Sequence, residues 1–157
     1  MTKPIAVVIG ATSKWQSDGR NTRMVHGGNI PDDELPLSIR WGVGGAIALK
    51  FAREGFHVVL TTRSKPNASA LEAAIYSEGL DCMTVELDLE SDDSISTAFE
   101  TVRSELGDPE VVVLNAGYLE GRDLPPEMEL LENMPVELFE TAQNISSRGP
   151  FLVAKEI

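Results

Sequence analysis

The chain has 157 residues, 42% of them hydrophobic, and a formal net charge of −12. This length predicts one domain with its own core, and the acidic surface excludes phosphate-rich partners such as nucleic acid or an anionic membrane. Cys82 is the only cysteine, which excludes an internal disulfide and a cysteine-rich metal site. The apolar run Ile5–Ile9 ends at Gly10, too early for a signal peptide or a membrane span, so we expect a cytoplasmic protein.

Strands and helices alternate along the first third of the chain. Ile5–Ile9 is a short apolar run that ends at Gly10, and it predicts a first buried strand. A helix with regularly spaced apolar residues begins at Gly42 and stops at Gly55. His57–Thr61 is too short for a helix and predicts a second strand. Together these elements form a βαβ unit with parallel strands.

Two more units of the same kind follow. A helix over Ser69–Ser77 precedes a third strand over Met83–Leu87, and Ser91 caps a helix that ends at Gly107. The apolar positions of that helix recur at helical spacing: Ile95, Ala98, Phe99, Val102 and Leu106. Val111–Leu114 predicts a fourth strand. The alternation predicts an α/β fold of the Rossmann type, a doubly wound parallel sheet in three α/β/α layers.

The glycines around the first predicted helix indicate a nucleotide-binding loop cut in two. If residues 14–41 are removed, the turn after the first strand joins the helix start with the spacing G-x-x-x-G-x-G. A diphosphate must approach backbone N–H groups at the positive end of a helix, where side chains would obstruct it. The alternative is that the glycines only let a helix start close against a strand. The predicted phosphate-binding residues are Gly10, Thr12, Ser13, Gly42, Val43 and Gly44.

The end of the second strand carries Thr62 and Arg63, where a dinucleotide fold meets the ribose of adenosine. A carboxylate there pairs with a 2′-hydroxyl, whereas an arginine forks onto a 2′-phosphate. These residues therefore favour NADP(H) over NAD(H) as cofactor, and Lys14 would add to the positive charge. The alternative for Arg63 is a solvated side chain after a strand.

The motifs, in this order, resemble those of the short-chain dehydrogenase/reductase family, whose glycine motif has the same spacing. The resemblance implies an adenine contact by Asp88 and Leu89, and a wall of the cofactor cleft formed by Asn115, Ala116 and Gly117. The last three match the family's N-N-A-G motif, in which the first asparagine is replaced here. For both groups the alternative is an ordinary turn at a strand end.

The family transfers hydride with a Tyr-x-x-x-Lys pair and a serine. Tyr76 and Tyr118 are followed four residues later by Leu80 and Arg122, so neither forms the pair and we assign no catalytic residue. A helix asparagine of the family aligns with Ser146 and is not carried over. Two functions stay open. The chain is either the cofactor-binding portion of an oxidoreductase acting on a carbonyl or alcohol, or a non-catalytic nucleotide-binding or assembly module.

Two features of the chain bear on its partners. The insertion over residues 14–41 is either a lid over the cofactor or a tolerated surface loop. A chain that ends after the fourth βα unit leaves the Val111–Leu114 strand without a neighbour and the last helix with a bare apolar face. The side chains expected on that face are Leu138, Phe139, Phe151 and Leu152. We therefore expect a homo-oligomer.

Overall fold

A computed structural model describes residues 2–12, 41–117 and 130–157 of the protein. The strands are β1 (Ile5–Ile9), β2 (His57–Thr62), β3 (Cys82–Glu86) and β4 (Val111–Leu114). The helices are α1 (Gly42–Arg53), α2 (Ser69–Ser77), α3 (Asp92–Glu105), α4 (Val136–Gln143) and α5 (Gly149–Glu156). Ser13, Lys14 and the insertion up to residue 40 lie outside the described residues, so the predictions for them are not tested.

The four strands form one parallel sheet in the order β3-β2-β1-β4. Ala6 of β1 pairs with Val58 of β2 on one side and with Val111 of β4 on the other. The chain therefore moves outward from β1 to β3 and then crosses to the opposite side of β1, so that the strand order reverses between β1 and β4. The sheet confirms the predicted Rossmann-type α/β architecture.

The side chains of β1 alternate between two cores, one on each face of the sheet. Ile5, Val7 and Ile9 pack with α3 and with the segment formed by α4 and α5, where Phe99 is fully buried. Val8 points the other way and packs with α1 and α2. Two helical layers thus enclose the sheet, which gives the three α/β/α layers that the sequence predicts.

The element ends follow the local sequence. Ser91 precedes α3, and its Oγ accepts a hydrogen bond of 3.2 Å from the N–H of Ser94, as expected for an N-cap. Gly55 follows α1 with φ +92°, a left-handed conformation that favours glycine at a helix stop. β3 begins at Cys82, one residue before the predicted start, and β2 ends one residue later than predicted, at Thr62.

The last helical segment is interrupted by a π-helical turn over Asn144–Arg148. Pro150 has no N–H to donate, and its ring crowds the carbonyl one turn earlier, so a regular α-helix cannot continue through it. The N–H of Gly149 instead reaches the oxygen of Asn144, five residues back. A Cβ on Gly149 would lie 2.7 Å from the oxygen of Leu89, so glycine lets this helix approach the loop after β3.

The apolar face of the last helical segment is only partly as predicted. Phe139 and Phe151 are exposed, at 58% and 65% of their full surface. The prediction is wrong for Leu138 and Leu152, which are half-buried. Leu152 is covered because it packs against the core that contains α3. In the described part of the chain β4 forms an edge of the sheet. The expected homo-oligomer stays a prediction.

No helix in the described ranges is both long and apolar enough to cross a membrane. The same ranges contain no group of three or more histidine, cysteine, aspartate or glutamate side chains that could hold a metal ion.

His57 begins β2 at the end of the sheet opposite to the glycine turn. Its N–H donates to the oxygen of Pro4, and its Nε2 is buried without a hydrogen-bond partner among the described residues. Burial lowers the pKa of the imidazole, since the proton would be poorly solvated there. Lys3 nearby also lowers this pKa, while the carboxylate of Asp81 raises it, and these two side chains are themselves ion-paired at 2.6 Å.

The free energy of unfolding should therefore fall as the pH drops through the ordinary histidine pKa of 6.5. The folded-state pKa lies below that of the unfolded chain, so the unfolded state binds the proton first; the contribution is complete above the unfolded pKa and is lost below it. Urea denaturation at about pH 7.5 and about pH 5.5 measures this for the wild type and for His57→Gln, which does not titrate. An equal loss of unfolding free energy in both proteins would contradict the assignment of this pH dependence to His57.

Candidate functional site

The candidate site lies at the carboxyl ends of β1 and β4, where the strand order reverses. Ligands of open α/β sheets bind in the crevice at such a point, because the loops diverge to opposite faces there. The turn after β4 is fastened to β1, since the N–H groups of Asn115 and Ala116 both donate to the oxygen of Ile9 at 2.9 Å. The predicted residues 10–12 and 115–117 are thus brought together.

Gly10 is enclosed by the chain on two sides. Its φ is +78°, and a Cβ on it would lie 2.7 Å from the backbone nitrogen of Ala116. The side-chain amide of Asn115 donates from Nδ2 to the oxygen of Gly10 at 2.9 Å. Gly10 and Asn115 therefore build the floor of the site together, and the amide of Asn115 is already engaged by the chain.

Gly44 brings the start of α1 against this floor. A Cβ on Gly44 would overlap the carbonyl oxygen of Gly10 and lie 2.7 Å from Nδ2 of Asn115. Gly42, at the first position of α1, has φ +67°. The missing side chain at Gly44 thus serves the close packing of helix on strand, the alternative that the sequence left open, and it also fixes where the first turn of the helix points.

The first turn of α1 has no acidic residue of its own to neutralise the positive end of the helix. The N–H groups of a helix's first turn have no partner within the helix, and the helix dipole adds a partial positive charge. The first turn of α1 contains no acidic residue, whereas that of α3 contains Asp92 and Asp93. Val43 is 70% exposed at the start of α1. Of these two helix starts, α1 is the one suited to an anion.

Thr12 contributes an unpartnered hydroxyl to the same region. Its Oγ1 is buried and has no hydrogen-bond partner among the described residues. A buried hydroxyl without a partner is unfavourable by about 1–3 kcal/mol, so native proteins rarely keep one unless a ligand or water uses it. The predicted site residue Thr12 therefore has a hydroxyl at the glycine turn that no other described residue engages.

β2 ends at the buried residue Thr62, and the exposed residue Arg63 follows it. Thr62 is buried, and its hydroxyl is used within the turn, since it donates to the oxygen of Ser64 at 3.2 Å. Arg63 is exposed and forms no hydrogen bond or ion pair with any other residue that the structure describes. No described residue therefore competes with a ligand for the guanidinium of Arg63, and no acidic side chain occupies position 62 or 63.

Asp88 and Leu89 follow β3 as predicted, and their contacts are those of a turn. Asp88 accepts a hydrogen bond of 3.0 Å at Oδ1 from the N–H of Glu90, and its own N–H donates to Oγ of Ser94 at 2.9 Å. Leu89 is buried against Gly149. The local hydrogen bonds hold the carboxylate of Asp88 in one orientation at the edge of the sheet.

Tyr76 and Cys82, whose phenol and thiol are potential acids or nucleophiles, lie away from this crevice. Tyr76, on α2, donates its hydroxyl to the oxygen of Cys82 at 2.9 Å, at the start of β3 and thus at the opposite edge of the sheet. Burial raises the pKa of Tyr76, and it raises the pKa of the Cys82 thiol to about 11. Neither side chain reaches the crevice, and Tyr118 lies outside the described residues.

Thr61 is a member of the site that the sequence analysis missed. It is 2% exposed, and its hydroxyl accepts a hydrogen bond from the N–H of Gly10 at 3.2 Å. The available signal was a hydroxyl at the end of an otherwise apolar buried strand, because a buried polar side chain must find a partner.

A parallel sheet whose order reverses beside a glycine turn and a helix start is the architecture of the Rossmann class. The model of the family described as enoyl-(acyl carrier protein) reductase matches residues 39–157. The solved structure of a metagenomic short-chain oxidoreductase (SDR) in complex with NADP covers 100% of this chain and 56% of its own, with TM-score 0.70 and 24% identity.

Two curated relatives match shorter stretches. The 3-oxoacyl-(acyl-carrier-protein) reductase FabG of Pseudomonas aeruginosa is 36% identical over 76 residues, or 48% of this chain and 31% of that protein. Glucose 1-dehydrogenase 2 of Bacillus subtilis is 30% identical over 115 residues, or 73% of this chain and 42% of that protein. The chain thus spans less than half the length of either relative. It belongs to the short-chain dehydrogenase/reductase family, a family of oxidoreductases.

Gly44→Ala should destabilise the folded protein by about 1–3 kcal/mol, because the added Cβ overlaps backbone that cannot move freely. Gly117→Ala is the matched control, since a Cβ there meets no other atom within 4 Å. Urea denaturation of both variants without added ligand measures the difference. Equal stability of the two variants would contradict the close packing of α1 on Gly10.

Proposed function

We propose that the chain binds NADP(H), and that it does so as the cofactor-binding portion of an oxidoreductase that transfers hydride between NADP(H) and a carbonyl or alcohol substrate. The observation that carries the proposal is the start of α1, free of acidic residues, set against the glycine turn at the strand reversal. An anion placed there meets unpaired N–H groups and the positive end of a helix.

The geometry limits which N–H groups can hold the pyrophosphate. The N–H of Gly10 donates to Oγ1 of Thr61, and the N–H of Ala11 donates to the backbone oxygen of Thr61 at 3.2 Å. Both N–H groups are therefore already hydrogen-bonded within the chain and do not point to a ligand. We assign the phosphate contacts to Thr12 and to the first turn of α1, at Gly42–Gly44. Ser13 and Lys14, outside the described residues, stay predicted members of this group.

The adenosine end of the cofactor would lie over the ends of β2 and β3. Arg63 has no partner in the described part of the chain, and the hydroxyl of Thr62 is engaged with Ser64. A 2′-phosphate can thus pair with Arg63, while a 2′-hydroxyl meets no carboxylate. Asp88 and Leu89 are proposed to contact the adenine ring. The metagenomic short-chain oxidoreductase of similar fold was solved in complex with NADP, which supports NADP(H) as the cofactor proposed here.

The turn after β4 would line the other half of the cleft. Asn115 and Ala116 form its floor, and Gly117 is exposed with open space above it. The bound cofactor supplies the hydride, whereas these residues hold and orient it. A second candidate function is a non-catalytic nucleotide-binding module. Both candidates require the same cofactor site, so the binding experiments below test what they share.

Arg63→Ala should weaken NADPH binding about ten-fold or more and leave NADH binding unchanged, because a charge-assisted contact to the 2′-phosphate is lost. Calorimetric titration of wild type and variant with both cofactors measures this. Lys65→Ala is the control, since Lys65 is an exposed cation on the same turn. Equal affinity of the wild type for the two cofactors would refute the preference, and so would an Arg63→Ala variant with unchanged affinity for NADPH.

Thr12→Val should leave the stability of the free protein unchanged or raise it, because the variant removes a buried hydroxyl that has no partner. NADPH binding should weaken several-fold if that hydroxyl contacts the cofactor. Thr12→Ser keeps the hydroxyl and should bind like the wild type. Thermal denaturation and calorimetry on the three proteins separate the two effects, and unchanged NADPH affinity in Thr12→Val would remove Thr12 from the site.

A further inference from the structure

We propose that Thr61 is a positioning residue for the cofactor: its hydroxyl holds the glycine turn in the conformation that directs the start of α1 at the pyrophosphate. The inference rests on the proposed function and adds a residue that lies on β2, away from the glycine motif itself. Thr61 is 2% exposed, so it acts through Gly10 rather than by touching a ligand.

At the end of β1 the hydroxyl of Thr61 takes the place of a backbone carbonyl of β2 as hydrogen-bond acceptor. Gly10 turns away from the sheet with φ +78°, so its N–H is no longer in register with a carbonyl of β2. The hydroxyl of Thr61 accepts this N–H at 3.2 Å and donates its own proton to the oxygen of Val8, also at 3.2 Å. The backbone oxygen of Thr61 then takes the N–H of Ala11. One residue thus makes three hydrogen bonds to the end of β1 and its turn.

The effect reaches α1 through the two peptide groups on either side of the Gly10 Cα. The hydroxyl of Thr61 holds the N–H of the Ile9–Gly10 peptide. The Gly10–Ala11 peptide is held at its oxygen by Nδ2 of Asn115 at 2.9 Å and at its N–H by the backbone oxygen of Thr61. Gly44, in the first turn of α1, rests directly on the Gly10 oxygen. A change in the backbone angles of Gly10 would therefore displace the helix start. A hydroxyl is required at position 61, because a single side-chain group must donate to one backbone atom and accept from another.

The test compares two ligands in wild type, Thr61→Val and Thr61→Ser. NADPH contains the pyrophosphate, whereas adenosine 2′-monophosphate contains only the adenosine end. Thr61→Val should bind NADPH about ten-fold more weakly and bind adenosine 2′-monophosphate as the wild type does. Thr61→Ser should retain both affinities. Thr84→Val is the matched control, since Thr84 lies on β3 and its hydroxyl bonds to Glu72 at 3.1 Å, away from the turn.

Amide hydrogen exchange gives a readout that does not require a ligand. In Thr61→Val the amide of Gly10 should exchange at least ten-fold faster than in the wild type, while that of Val7 in the middle of β1 should not change. If Thr61→Val does not fold, Thr61→Cys takes its place, because a thiol has similar size but is a weak acceptor.

Each outcome decides the proposal. If the amide of Gly10 exchanges at the wild-type rate in Thr61→Val, the proposal that the Thr61 hydroxyl holds the glycine turn is wrong. If Thr61→Val binds NADPH and adenosine 2′-monophosphate equally more weakly than the wild type, the positioning role is wrong, since this result indicates a general loss of structure. The role is also wrong if Thr61→Ser loses as much NADPH affinity as Thr61→Val. A wild type that binds adenosine 2′-monophosphate but not NADPH refutes the pyrophosphate site and this assignment together. A wild type that binds neither ligand refutes the proposed function, and the role of Thr61 in it.

Discussion

The close approach of α1 to the end of β1 is the constraint on which the rest of the site depends. A Cβ on Gly44 would overlap the oxygen of Gly10, and this oxygen also accepts a hydrogen bond from the side-chain amide of Asn115. Three elements that are distant in sequence, β1, α1 and β4, therefore meet at one peptide group. Because that peptide is held from each side, the helix start has a defined position relative to the crevice, as a preorganised anion site requires.

The sequence predicts the sheet well, because buried parallel strands leave a simple signal. A strand covered on both faces is apolar throughout, and β1, whose end is marked by Gly10, is predicted to the residue. β4 has the predicted bounds, but the expectation that it is buried is wrong: its valines are half-buried and Leu114 is 45% exposed, because β4 is an edge of the sheet in the described residues. The helix capped by Ser91 is equally clear, since its buried side chains recur at helical spacing. These signals are local, and the strand order follows from general rules of handedness and connection.

The features that the sequence could not predict arise from contacts between distant residues. The glycine pattern marks a close approach, but only the structure shows that at Gly44 the neighbour is the chain's own backbone. The role of Thr61 depends on its register opposite the end of β1, which no sequence spacing encodes. The half-buried state of Leu152 depends on how the last helical segment docks on α3, and the π-helical turn before Pro150 sets its rotation.

The protein and its proposed ligand both carry a net negative charge, so they repel each other at long range. On a chain of net charge −12, attraction for the proposed anionic cofactor has to be local rather than spread over the surface. The dipole field of a helix falls off within about one turn, and a single guanidinium is screened beyond about 8–10 Å in physiological salt, so both act only on groups within that short range. The first turn of α1 has no acidic residue, and Arg63 has no partner among the described residues. Among the described residues, the acidic first turn of α3 would repel a phosphate, whereas the cation of Arg63 would attract one, so these charges favour an anion that extends from the end of β2 to the start of α1.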